Sequence, residues 1–133
     1  MNEQTPKKTS VLIIDDDSFL LDMYSLKFTE KEFDVSTASS CADALAKIAA
    51  GYRPNVLLAD VVMPGMDGIQ FLEELKKRNI EGIKHIVILS NLGQKEDVER
   101  GMSAGAQDYI VKANCTPSEV VARVNTLLGA TQK

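Results

Sequence analysis

Three stretches of this 133-residue chain, Val11-Leu12-Ile13-Ile14, Val56-Leu57-Leu58-Ala59 and Ile86-Val87-Ile88-Leu89, are apolar at every position. A strand with one wet face alternates. A strand that is apolar throughout is covered on both faces, which is the habit of parallel sheets flanked by helices. Tyr109-Ile110-Val111 is a shorter run of the same kind, and Phe33 to Thr37 alternates more, which predicts a strand nearer an edge.

Helical patterns separate the runs. Phe19, Met23 and Leu26 fall on one line, with Leu20, Tyr24 and Phe28 beside it. Ser40 can cap a helix carrying Leu45, Ile48 and Ala49 that Gly51 and Pro54 stop, and Asp67 can cap one with Ile69, Leu72 and Leu75 inward. Gln94 to Ala104 reads as a weak helix, thin in apolar residues and holding Gly101, which costs roughly 1 kcal/mol against Ala. Thr116-Pro117-Ser118-Glu119 is a capping box with proline at the first helical position, opening a last helix that Gly129 closes. Five strands alternating with five helices predict one doubly wound α/β domain with a mostly parallel sheet. Residues 1–9 read as a polar lead-in, 10–129 as the domain and 130–133 as a tail.

The bulk composition narrows the function. An apolar content of 44% with 26% charged residues is that of an ordinary soluble domain. A net charge of -4 argues against wrapping a nucleic-acid backbone, which wants a basic face. There is no 18-residue apolar run and the first ten residues are polar, so neither a membrane span nor a secretory signal is expected. Cys41 and Cys115 stand far apart with no CxxC, and read as unpaired thiols of a reducing compartment. A cytoplasmic protein is expected.

What the runs end on carries the chemistry. They finish at Asp15-Asp16-Asp17, Asp60, Ser90 and Lys112. A parallel sheet brings such ends to one edge, where open α/β sheets bind their ligands. Taken alone, Asp60 reads equally well as the cap of the turn Met63-Pro64-Gly65-Met66-Asp67-Gly68. The four-fold coincidence says more. Crowded carboxylates repel, and at least one would hold its proton unless a cation sits among them; oxygen ligands without His or Cys suit Mg²⁺. A carboxylate beside Mg²⁺ can attack phosphorus, and a lysine with a hydroxyl can hold the phosphoryl in flight. No GxxxxGK[ST] loop is present, which argues against nucleotide binding of that kind.

Ile14-Asp15-Asp16, Asp60 with Met63 to Gly68, Leu89-Ser90, and Gly105-Ala106 through Tyr109 to Lys112, in this order and spacing, resemble a response-regulator receiver domain of two-component signalling. The resemblance covers about Ser10 to Leu128. It implies a CheY-like, flavodoxin-like fold with strand order 2-1-3-4-5. It implies that Asp60 accepts a phosphoryl group from a histidine kinase or phosphotransfer protein, and that Asp15, Asp16, Asp60 and the Val62 carbonyl hold Mg²⁺. Ser90 and Lys112 would contact the phosphoryl, and Tyr109 would be the switch aromatic. The readout would be a downstream target protein bound by the fourth helix, fifth strand and fifth helix. Little chain follows Leu128, so a stand-alone regulator, chemotaxis-like or in a phosphorelay, is expected unless the chain is a fragment.

Some positions depart from the pattern. Ala113 follows Lys112 where the family has a cis proline; a cis bond before Ala costs about 2.5–4 kcal/mol, which predicts trans. Asn91 is expected to face solvent. Val62 and Leu92, two past Asp60 and Ser90, offer no group to orient water, so slow self-dephosphorylation and no turnover enzyme are expected. Asp17 reads as the start of the first helix, His85 as a surface residue, and Met63 and Met66 as loop anchors. An aspartate-nucleophile phosphatase of the haloacid-dehalogenase kind would want a second Asp where Val62 stands.

Overall fold

In the computed structural model, which describes residues 8–131, ten elements alternate. The strands are β1 (Ser10–Ile14), β2 (Asp34–Ala38), β3 (Val56–Ala59), β4 (His85–Ser90) and β5 (Asp108–Val111). The helices are α1 (Ser18–Glu30), α2 (Cys41–Ala49), α3 (Gly68–Lys77), α4 (Lys95–Ser103) and α5 (Pro117–Thr131). All pairings are parallel, in the order β2-β1-β3-β4-β5. This is the doubly wound fold that the apolar runs predict, with β2 at an edge.

Two apolar layers cover the sheet. Leu12, Ile14, Leu57, Ala59 and Ile88 face α2 and α3 residues such as Ile48, Phe71 and Leu72. Val11, Ile13, Leu58, Leu89 and Ile110 face Tyr24 and Phe28 of α1 and Val120, Val121 and Val124 of α5. Because successive strand residues point to opposite faces, a strand buried by both layers has no polar alternation left to show.

The caps are those read from the sequence. Ser40 accepts from the Asp43 N–H, Asp67 forms a reciprocal box with Gln70, and Thr116 and Glu119 exchange bonds of 2.8 and 3.2 Å. Three expectations are corrected. α5 runs through Gly129 to Thr131. In α1 the buried line is Leu21, Tyr24 and Phe28, while Phe19 is 69% and Leu26 57% exposed. Apolar residues surround most of that helix, so several lines compete and only the packed partners select one. His85 is not a surface residue: it is 8% exposed, its Nδ1 3.1 Å from the Gln107 Oε1. Residues 1–7 of the expected lead-in, and 132–133 of the tail, lie outside the described residues.

Candidate functional site

Register places the site. Ile14 pairs with Ala59, Ala59 with Ile88, and Ser90 with Val111. The residues that follow, Asp15, Asp60 and Lys112, therefore emerge beside Ser90 on the carboxyl edge of adjacent strands. The Asp60 N–H donates to the Ile14 carbonyl at 3.0 Å and the Asp15 N–H to the Ala38 carbonyl at 3.2 Å, so the ladder itself fixes both acids.

Lys112 joins them. Its Nζ lies 2.7 Å from Asp15 Oδ2 and 2.9 Å from Asp60 Oδ2, with all three side chains at most 9% exposed. Buried charges persist when they are paired in this way. Asp16 is exposed but belongs to the cluster: Asp15, Asp16 and Asp60 each offer an oxygen within 4.8 Å of the others. Three carboxylates against one ammonium leave net negative charge. An all-oxygen donor set with that charge fits a hard divalent cation such as Mg²⁺.

The titrations follow from burial. Burial pushes the Asp60 carboxyl above its ordinary value, and the Lys112 hydrogen bond and charge offset this only in part. Burial pulls the Lys112 ammonium down, but the hydrogen bonds and charges of Asp15 and Asp60 outweigh it and hold Lys112 raised. Neighbouring N–H groups add to the frame: Val62 donates to Asp60 Oδ1 at 3.2 Å and Asp17 to Asp15 Oδ1 at 3.0 Å. Asp17 otherwise caps α1, accepting from Phe19 and Leu20.

Gly68 is built into the site. A Cβ on it would stand 2.2 Å from the Asp60 carbonyl oxygen, a backbone atom with nowhere to go. The start of α3 therefore packs directly under the phosphoacceptor candidate. Tyr24, which the sequence offered only as a helix-stripe residue, also belongs here. It is buried in α1 near enough to sense the charges of Lys112, Asp15 and Asp60, although burial is the larger cause of its raised pKa. No short-range signal marks that proximity, since Tyr24 and Lys112 are far apart in the chain.

Beyond Ser90 the site continues into the β4–α4 loop. Ser90 is buried and its Oγ accepts from the Leu92 N–H at 3.2 Å. The Tyr109 ring points inward, its hydroxyl donating to the Leu92 carbonyl at 2.5 Å. Asn91 is exposed. Among the described residues no peptide bond is cis, and a single 3-10 turn, Lys112–Asn114, carries the chain past Lys112.

Residues 11–125 match the response regulator receiver domain family. The chain belongs to this family. It is 30% identical over 118 residues to the phosphate regulon transcriptional regulatory protein PhoB of Escherichia coli, covering 89% of this chain and 51% of that protein. It is 30% identical to the chemotaxis protein CheY of Halobacterium salinarum, over 81% of this chain and 88% of that one. The receiver domain of the Francisella response regulator 1452 superposes with a TM-score of 0.82 at 33% identity, covering 93% of this chain and 99% of that one. The receiver spans about half the length of the curated transcriptional regulators it matches.

Proposed function

We propose that this receiver is a phosphorylation switch in which Asp60 takes a phosphoryl group from the phosphohistidine of a histidine kinase or phosphotransfer protein. One observation carries the reading: a buried Lys112 ammonium bridges Asp15 and Asp60 at 2.7 and 2.9 Å at the end of the central strand. In the reaction an Asp60 oxygen bonds to phosphorus, the P–N bond to the donor imidazole breaks, and the imidazole nitrogen takes a proton. Lys112 holds a phosphoryl oxygen, and Ser90 turns to donate to another. Asp15, Asp16, Asp60 and the Val62 carbonyl would hold Mg²⁺, which supplies charge neutralisation for the transferring group.

A protein donor suits the rim. Phe19, Val62 and Leu92, on the first turn of α1 and the loops after β3 and β4, are exposed apolar side chains on the three segments that frame Asp60. The readout surface is α4, β5 and α5, with Tyr109 moving as Ser90 is recruited. Phosphorylation adds about -1.5 to -2 charges and strong acceptors. The element that responds is α4, whose only buried residue is Gly101.

This receiver works as a cytoplasmic regulator whose output is binding a target protein; the chain covers 88% of the chemotaxis protein CheY of Halobacterium salinarum. In transcriptional regulators of the PhoB kind, of which it covers 51%, the matching switch is part of a chain about twice as long. It is not a turnover enzyme. Exposed, apolar Val62 and Leu92 give a slow loss of phosphate, and Val62→Asn is expected to shorten the phosphorylated lifetime. The decisive experiment incubates the chain with a small acyl phosphate and Mg²⁺ and reads intact mass. One added phosphoryl group on wild type, none on Asp60→Asn and none with chelator is expected. Equal labelling of Asp60→Asn would overturn the assignment.

A further inference from the structure

α4 touches the sheet through very little. Gly101 is its one buried residue, with Val98 half-buried on the same side and Ala104 buried just after its end. A Cβ built on Gly101 would come within 2.6 Å of Ile88 Cδ1, and within 3.0 and 3.2 Å of Cδ2 and Cε2 of the Tyr109 ring. Ile88 and Tyr109 are cross-strand partners in β4 and β5, and both are buried. Three groups thus meet at one point: the backbone of α4, the end of Ile88, and the flank of the inward aromatic ring. A methyl group has no room there unless both Ile88 Cδ1 and the ring give way, or α4 lifts from the sheet.

We propose that Gly101 is a positioning residue for Tyr109: the missing side chain at this helical position is the notch that admits the ring to its inward site. The consequence passes along a short chain of contacts. The inward ring lets the Tyr109 hydroxyl donate to the Leu92 carbonyl at 2.5 Å, and the Leu92 N–H donates to Ser90 Oγ at 3.2 Å. Gly101 on α4 is therefore coupled to the Ser90 hydroxyl without touching it. A residue larger than glycine here sets the ring outward before any phosphoryl arrives, and frees the β4–α4 loop from its tether. Ile88 Cδ1 takes the hardest contact and can turn away only into the space beside the ring, so the ring is what moves outward. Ile88 is fully buried between the layers, whereas Tyr109 retains 8% exposure and can swing toward solvent.

The sign of the helix term makes this separable from simple damage. Alanine is a better helix former than glycine, so Gly101→Ala strengthens α4 locally, and a displaced Tyr109 cannot then be blamed on a fraying helix. The rescue is also defined. Ile88→Val deletes the Cδ1 that lies nearest, so in Gly101→Ala/Ile88→Val the ring can lean into the vacated space and return inward.

The inference rests on the proposed switch only for its signalling meaning; its test needs no phosphoryl donor, and so fails or succeeds apart from the Asp60 reading. The full chain is labelled with ¹³C at the tyrosine ring Cε positions, giving signals for Tyr24, Tyr52 and Tyr109, of which Tyr109→Phe assigns the last. In Gly101→Ala, the Tyr109 signal is expected to move toward that of a solvated ring, and the Leu92 amide to shift with it. A tenfold fall in the inward population corresponds to about 1.4 kcal/mol. In the double variant both signals are expected to return toward wild type. A Tyr109 signal unmoved in Gly101→Ala would overturn the proposal. So would a displaced signal that Ile88→Val fails to bring back, because the ring would then be reporting an intact α4 lifted from the sheet and not a lost clearance.

Discussion

Lys112→Met tests the electrostatic core of the site most directly. At an effective dielectric constant of about 20, charges at 2.7 and 2.9 Å attract by about 6 kcal/mol each, while carboxylate oxygens up to 4.8 Å apart repel by about 3–4 kcal/mol a pair. The single ammonium thus roughly cancels the mutual repulsion of Asp15, Asp16 and Asp60. These are gross terms, offset by desolvation. Removing one partner of a buried pair leaves an uncompensated charge and costs about 3–5 kcal/mol; uptake of a proton at Asp60, whose pKa is already raised, puts the expected loss near the lower end. Because the Lys112 pKa is raised in the folded chain, its contribution is full at every pH below its ordinary value and is lost only in alkali. On the acid side the partners decide. As pH falls through the carboxylate range, Asp60 is neutralised, its half of the bridge dissolves, and the gap between wild type and variant narrows. Urea unfolding from about pH 7 to pH 4 measures this. Mg²⁺ at neutral pH should recover part of the loss, since binding to the folded state alone stabilises it. A variant as stable as wild type at neutral pH, or a gap that does not narrow in acid, would refute the reasoning.

Three further outcomes follow from the same geometry. Burial holds the Asp60 carboxyl raised, so its charge opposes folding above the carboxylate range and costs nothing below it; Asp60→Asn should be more stable than wild type at neutral pH and equal to it near pH 3, as read by denaturant midpoints. Gly68→Ala sets a methyl against the Asp60 carbonyl and should cost about 1–3 kcal/mol, with lowered Mg²⁺ affinity as the control that the loop beneath Asp60 has shifted. Cys41 is buried and its thiol is pushed up to about 11 by burial, with Asp67 and Asp60 adding to the rise. Cys115, half-exposed, should therefore take an alkylating reagent first at neutral pH, read by peptide mass, while Cys41 reacts only on unfolding.

Legibility tracked the range of the forces involved. The apolar runs, the caps at Ser40, Asp67 and Thr116, and the residues on which the runs end are local facts. Burial on both faces and the unsatisfied N–H groups of a helix start leave a mark within four or five residues of sequence. That is why the parallel sheet and the meeting of Asp15, Asp60, Ser90 and Lys112 could be read in advance. Where the local signal was degenerate it failed. α1 offers several apolar lines, and the docking of α5 and the sheet chose Leu21, Tyr24 and Phe28 over Phe19 and Leu26. His85 looked like a surface residue because nothing near it in sequence shows Gln107, its partner across the sheet end.

The sequence by itself determined the element order, the two-sided burial of the central strands, and the set of acids, hydroxyl and amine that the carboxyl edge would present. Only the tertiary structure decided how close they stand: the Lys112 ammonium between Asp15 and Asp60, Gly68 against the Asp60 carbonyl, and the notch at Gly101 that receives Tyr109. Periodicity is a property of one segment and survives in the primary structure. Clearance of a few tenths of an ångström is a property of several segments packed at once, and no single one of them carries it.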